Sequence, residues 1–169
     1  MNLFQSCTPE SLNENPFLLI GKDWMLITAG TPDHHNTMTA SWGGVGVLWH
    51  KNVCFCFVRP QRHTLGFLEE NERFTLSFFP EDCRDALTYC GRHSGRDVDK
   101  AKETGLIPCS VEKGTTTFEQ ARLVLVCKKL YLQDMTPESF LDPALVKQHY
   151  PQSDFHKVFV AEIEKCYTK

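Results

Sequence analysis

Between Asn36 and Thr64 the chain reads NTMTASWGGVGVLWHKNVCFCFVRPQRHT, and two groups of residues in it have the types and spacing to do chemistry. Thr37, Thr39 and Ser41 recur at every second position, so in a strand they share one face while Met38, Ala40 and Trp42 take the other. At the far end Arg59, Arg62, His63 and Thr64 gather around Pro60, whose fixed φ stiffens the turn. A row of small hydroxyls suits a flat, partly polar ligand lying along a strand, and two guanidinium groups suit an anionic tail on it. The same residues also suit a β-hairpin with a solvated face and a basic turn. Pattern alone leaves both readings open.

The elements that must position these groups follow from the periodicity. Residues 1–16 read as a polar leader, with one short helix near Pro9 to Leu12. Trp24 to Ala29 is an apolar run rich in β-formers, bounded by turn residues, and reads as a strand; a second strand spans Met38 to Trp42, with His34 and His35 in the turn between them. Val53 to Val58 is apolar on both faces and predicts a strand buried on both sides. Thr64 to Glu70 has Leu65 and Leu68 at helical spacing with Thr64 as N-cap, so the helix amides would face back toward the two arginines. Phe74 to Phe79 is a strand, and Glu81 to Gly91 a helix with Cys83, Ala86, Leu87 and Cys90 on its inner face. A long strand within Phe118 to Leu132 is bent near Lys128. A helical excursion fills Met135 to Tyr150, and a strand from Phe155 to Tyr167 closes the chain. Short strands without βαβ alternation predict a mainly β fold, an antiparallel barrel with attached helices, as one domain over residues 1–169.

Composition and motifs exclude several classes of function. A net charge of -3 and a longest basic run of only Lys128-Lys129 give no purchase for nucleic acid. The apolar stretches are far below membrane-spanning length and the N-terminus lacks a secretory pattern, so no membrane role and a cytoplasmic location are expected. Eight Cys spread through apparent strands and helices, without secretory context, predict reduced thiols. Cys54 and Cys56 read as core filler, and neither the His34-His35 pair nor Asp97 with Asp99 completes a metal site. Gly43 to Gly46 fails as a dinucleotide fingerprint because Trp49 stands at the third glycine position and no helix follows; a turn or bulge fits better. No Gly-x-Ser-x-Gly elbow or zinc-protease helix is present.

Four stretches together carry a family resemblance: NTMTASWGG, RPQRHT, HSGRDVDKAK from His93, and HKVFVAEI from His156. They resemble the flavin reductase-like family over about Pro16 to Tyr167. The resemblance implies an antiparallel split β-barrel, a homodimer, and FMN bound near the subunit interface. It further implies hydride transfer from NAD(P)H to the flavin, with electrons passed to an acceptor that the sequence does not name. The protein would supply orientation, polarity and exclusion of water rather than a nucleophile. By the same resemblance, Met38, Thr39, Ala40, Ser41 and Trp42 would lie along the isoalloxazine, and Arg59, Pro60, Arg62, His63 and Thr64 at the phosphate. Ser94, Arg96 and Lys100 would come from a loop over the cofactor. His156 would face the flavin and nicotinamide, Lys100 helping to place the latter, although Ala161 stands where the family commonly has Gly. The alternative from another class is an FMN-binding electron carrier or redox sensor with no nicotinamide activity.

Overall fold

The computed structural model describes residues 3–169. Ten strands form in chain order: β1 Gln5–Cys7, β2 Met25–Thr31, β3 His34–Ala40, β4 Gly43–Leu48, β5 Lys51–Val58, β6 Arg73–Phe78, β7 Pro108–Cys109, β8 Thr117–Phe118, β9 Leu123–Asp134 and β10 Lys157–Thr168. Five α-helical segments accompany them: α1 Pro16–Leu18, α2 Thr64–Glu70, α3 Arg84–Arg92, α4 Lys100–Thr104 and α5 Pro143–His149. The main sheet is antiparallel throughout and runs β3-β2-β6-β9-β10-β5-β4, with β1 on the free stretch of β10. Its two outer strands, β3 and β4, are consecutive in sequence and joined through Ser41-Trp42. The sheet therefore curls back on itself yet stays open there, as a split barrel.

Each face of the sheet buries its own core. Inside lie Met25, Ile27, Met38, Cys54, Cys56, Phe74, Phe78, Cys127 and Phe159. On the outside, Leu26 and Val124 of the sheet cluster with Leu87 and Cys90 of α3, Ala101 of α4 and Phe118 of the β7-β8 hairpin. The two-residue period that separates Ile27 from Leu26 is what allows one strand to serve both cores. Among polar residues, Thr28, Thr37, Thr75 and Ser77 also face the outer layer and are fully enclosed. Thr28 and Thr37 share a hydroxyl hydrogen bond of 2.8 Å, and Ser77 meets Thr117 at 2.7 Å.

Several sequence expectations are corrected. The leader is not merely polar surface, because β1 pairs with the end of β10, Cys7 opposite Cys166. The helix expected near Pro9 forms as a single 3-10 turn, Pro9–Ser11. The second strand begins at His34, and the turn before it shrinks to Pro32-Asp33. Gly43 to Gly46 is not a turn but most of β4, held by pairing with β5, with a Cβ at Gly43 only 2.8 Å from the Phe55 carbonyl oxygen. The tight turn lies further on, at Trp49 and His50, with φ of 53° and 56°. On β5, Val53 is enclosed while Phe55 and Phe57 are only half-buried, so that face is partly open. The irregularity in β9 falls beside Leu130, where the register with β10 skips from Tyr131 to Lys129.

Candidate functional site

The Pro60 turn and α2 place the basic residues. Arg62 N–H donates to the Arg59 carbonyl at 3.1 Å and Leu65 N–H to the Arg62 carbonyl at 3.0 Å, so the chain is already winding before the helix begins. The N-cap position consequently falls on His63, in helical φ/ψ, and Thr64 is the first helical residue rather than the cap. The Leu65 amide, one of those expected to be free, is thus used within the turn. The Thr64 hydroxyl points inward and accepts a 2.8 Å hydrogen bond from Asn36 Nδ2.

The hydroxyl face of β3 also has a different use from the one the alternation suggests. Because α3 covers that face, Thr39 Oγ1 donates to the Leu87 carbonyl at 2.5 Å and Thr37 is satisfied within the outer layer. The end of β3, from Met38 to Ala40, still lines a cavity, followed by Ser41 and the half-exposed Trp42 past its end.

Two clefts meet at these residues. One, of about 380 Å³, is lined chiefly by Met38, Arg59, Arg62, His63, Thr64, Arg92, His93, Ser94 and Lys100. The other, of about 170 Å³, is lined by Met38 to Trp42, Phe57, Arg59, Arg62 and His156. Since Met38, Arg59 and Arg62 line both, they form one groove with a basic end and an aromatic end. All the sequence-predicted site residues fall in it except Pro60, which lines neither cleft, and Arg96. Arg96 reaches the Gln61 carbonyl at 3.2 Å and lines a neighbouring cleft. Lys100 sits at the basic end, away from His156. It is 6% exposed, with Nζ donating to the Thr37 and Cys90 carbonyls at 2.7 and 2.8 Å. Gln61, Phe57, Arg92 and His93 line the groove without having been singled out; His93 opens the motif HSGR, the one signal that pointed to this stretch.

The groove is cationic. Arg59 pairs with Asp154, donates to the His149 carbonyl at 2.8 Å and lies 5.1 Å over the Tyr150 ring. That is the only ion pair in the groove among the described residues. Arg62 donates to the Gly91 carbonyl at 2.8 Å, and burial, then the neighbouring Arg59 charge, lower its pKa. Burial is also the main reason the Lys100 ammonium is pushed down to about 8, with Arg62 adding to it. Such an arrangement is short of negative charge and suited to an anion.

At the aromatic end His156 is 6% exposed, with Trp42 at 5.5 Å and Phe57 edge-on at 6.4 Å between ring centroids. Its Nδ1 lies 2.7 Å from the Tyr150 hydroxyl. Burial first, then the Arg59 charge, bring its pKa down to about 4, so the imidazole is neutral at neutral pH. The split antiparallel barrel thus carries a groove with a cationic end and an aromatic, histidine-bearing end.

The family model described as the flavin reductase like domain matches residues 19–169, and the chain belongs to that family. Among solved structures, the FMN-binding protein of Thermus thermophilus with bound p-hydroxybenzaldehyde is 21% identical, with a TM-score of 0.67 over 98% of this chain and 79% of that one. Flavoredoxin from Methanosarcina acetivorans is 21% identical, with a TM-score of 0.68 over 96% and 76%. The NADH:FAD oxidoreductase of Streptomyces globisporus C-1027 is 16% identical, with a TM-score of 0.65 over 87% and 75%. These likenesses establish the split-barrel fold. No curated protein matches the chain.

Proposed function

We propose that the chain binds FMN in the groove and acts as an oxidoreductase, taking hydride from NADH or NADPH and passing the electrons to an acceptor. The observation that carries this reading is the sharing of Met38, Arg59 and Arg62 by a cationic cleft and an aromatic one, which supports a ligand with a phosphate at one end and a flat ring at the other. Family membership agrees with it. Arg62, Thr64 and Ser94 hold the phosphate, with Arg92 and Lys100 adding positive potential. The Thr64 hydroxyl accepts from Asn36 and so keeps its own proton for a phosphate oxygen. Met38 and the Ser41-Trp42 link flank the ring, and His156 offers a neutral imidazole beside it.

When bound, the flavin supplies the two-electron chemistry. The chain orients its partners, keeps water from the aromatic end and holds a fixed proton at His156. FMN is preferred to FAD because the compact cluster of Arg59, Arg62 and Thr64 suits a terminal phosphate, while the chain offers no second glycine-rich element for an adenosine diphosphate half. A homodimer would complete the open side of the groove. The eight unpaired thiols suit a reducing, cytoplasmic compartment.

The test is to load the purified protein with FMN and add NADH or NADPH anaerobically. Bleaching of the flavin band by either is expected. Bound flavin that neither nicotinamide reduces would leave the electron-carrier reading.

A further inference from the structure

We propose that Tyr150 is a positioning residue: its hydroxyl donates to His156 Nδ1 and thereby fixes the imidazole as the Nε2–H tautomer, with that N–H presented to the groove. The inference rests on the groove being the ligand site, and concerns how the histidine at its aromatic end is set.

The Tyr150 hydroxyl has one proton and two neighbours able to accept it. His156 Nδ1 stands at 2.7 Å and the Met135 sulfur at 3.5 Å. A thioether is a weak acceptor, whereas an unprotonated imidazole nitrogen is a good one, so the proton goes to Nδ1. A neutral imidazole carries a single ring proton, which then belongs on Nε2. Nε2 has no hydrogen-bond partner among the described residues, yet it is not among the sealed, unsatisfied side-chain atoms; only Arg84 Nη1 and Asp154 Oδ1 are. It therefore keeps an opening, and the cavity that His156 lines is the aromatic end of the groove.

Tyr150 is itself held on several sides. Its ring stacks on Phe155 at 4.8 Å and 24°, meets Phe140 at 5.6 Å and lies under the Arg59 guanidinium. Tyr150 comes from the excursion between β9 and β10, immediately after α5, and reaches back to the first residues leading into β10. The excursion thus sets the histidine without itself lining either cleft. A ligand carbonyl placed at the aromatic end would meet a fixed, neutral N–H donor.

The experiment is two-bond proton–nitrogen correlation on ¹⁵N-histidine-labelled protein at pH 7, with His156→Asn used to assign the His156 signals. In the wild type an unprotonated Nδ1 and a protonated Nε2 are expected; in Tyr150→Phe, which keeps the ring packing, both nitrogens should move toward a mixed tautomer. A wild-type spectrum with the proton on Nδ1, or a Tyr150→Phe spectrum identical to the wild type, would overturn the proposal. The spectrum is read without any nicotinamide, so a protein that fails to be reduced would sink the functional reading and leave this one standing. Where reduction does occur, Tyr150→Phe should slow it about threefold to tenfold, the range for one neutral hydrogen bond, with FMN affinity unchanged. An unchanged rate would also count against the positioning role.

Discussion

Asn36 Nδ2 donates a 2.8 Å hydrogen bond to Thr64 Oγ1, and both residues are buried, so a side chain of β3 fixes the first residue of α2. This bond joins the two halves of the 36–64 stretch and sets the wall of the cationic cleft. Thr64→Val, similar in volume, would leave the Asn36 amide buried without its acceptor. We expect a loss of about 1–3 kcal/mol of stability, checked by urea denaturation, together with weaker FMN binding.

Gly95 tests the same wall from the other side. A Cβ there would come 1.8 Å from Asn36 Oδ1, closer than any side chain tolerates. Gly95→Ala must displace either the 94–99 loop or Asn36 itself. FMN affinity should fall at least about tenfold, a loss of roughly 1.4 kcal/mol, as measured by flavin fluorescence. Affinity at the wild-type level would show that the loop does not bound the phosphate end.

These two contacts mark how far the sequence could be read. The α2 helix was legible from the helical period of Leu65 and Leu68, although the sequence put the N-cap at Thr64 and the structure puts it at His63. The sequence put Arg59, Arg62 and Thr64 at a phosphate and, by resemblance, Ser94 in a loop over the cofactor; the fold lines one cleft with all four. Three things were not legible. Glycine composition suggested a turn at Gly43 to Gly46, whereas pairing with β5 makes a strand of it and the turn falls on Trp49-His50, residues with no turn preference. The alternating hydroxyls of β3 gave no sign that α3 would cover them. Tyr150 and Asp154 act through tertiary contacts made by an excursion whose own pattern is merely amphipathic.

Acid stability should carry the mark of His156. Its folded pKa, about 4, lies below the ordinary 6.5, so between those values the unfolded chain binds the proton that the folded chain refuses. Stability from this group is therefore present above about pH 6.5 and lost as the pH falls toward 4. Allowing for the access that Nε2 keeps to solvent, the loss is about 2 kcal/mol. Asp154, whose pKa is lowered by its hydrogen bonds from Gln61 and Arg59, adds a loss of the same sign at lower pH. Unfolding measured from pH 7 to 4 should be steeper in the wild type than in His156→Asn. Parallel profiles would contradict the burial of a neutral imidazole.

Arg59 and Arg62 should separate in their effects. Arg59 ties down Asp154, the His149 carbonyl and the Tyr150 ring, so it secures the excursion as well as the groove. Arg59→Ala should weaken FMN and riboflavin together and lower the melting temperature. Retention of riboflavin affinity with selective loss of FMN would move the principal phosphate contact to Arg59.

The central claim is that the cationic end of the groove reads a phosphate through Arg62, whose charge has only the Gly91 carbonyl as a partner among the described residues. Titrating FMN and riboflavin into the wild type and into Arg62→Ala measures this directly. A charge-assisted hydrogen bond contributes roughly 1.5–3 kcal/mol, so the wild type should prefer FMN to riboflavin by at least about tenfold. Arg62→Ala should lose most of that preference while binding riboflavin as the wild type does. Equal binding of the two flavins by the wild type, or equal weakening of both by Arg62→Ala, would contradict the account.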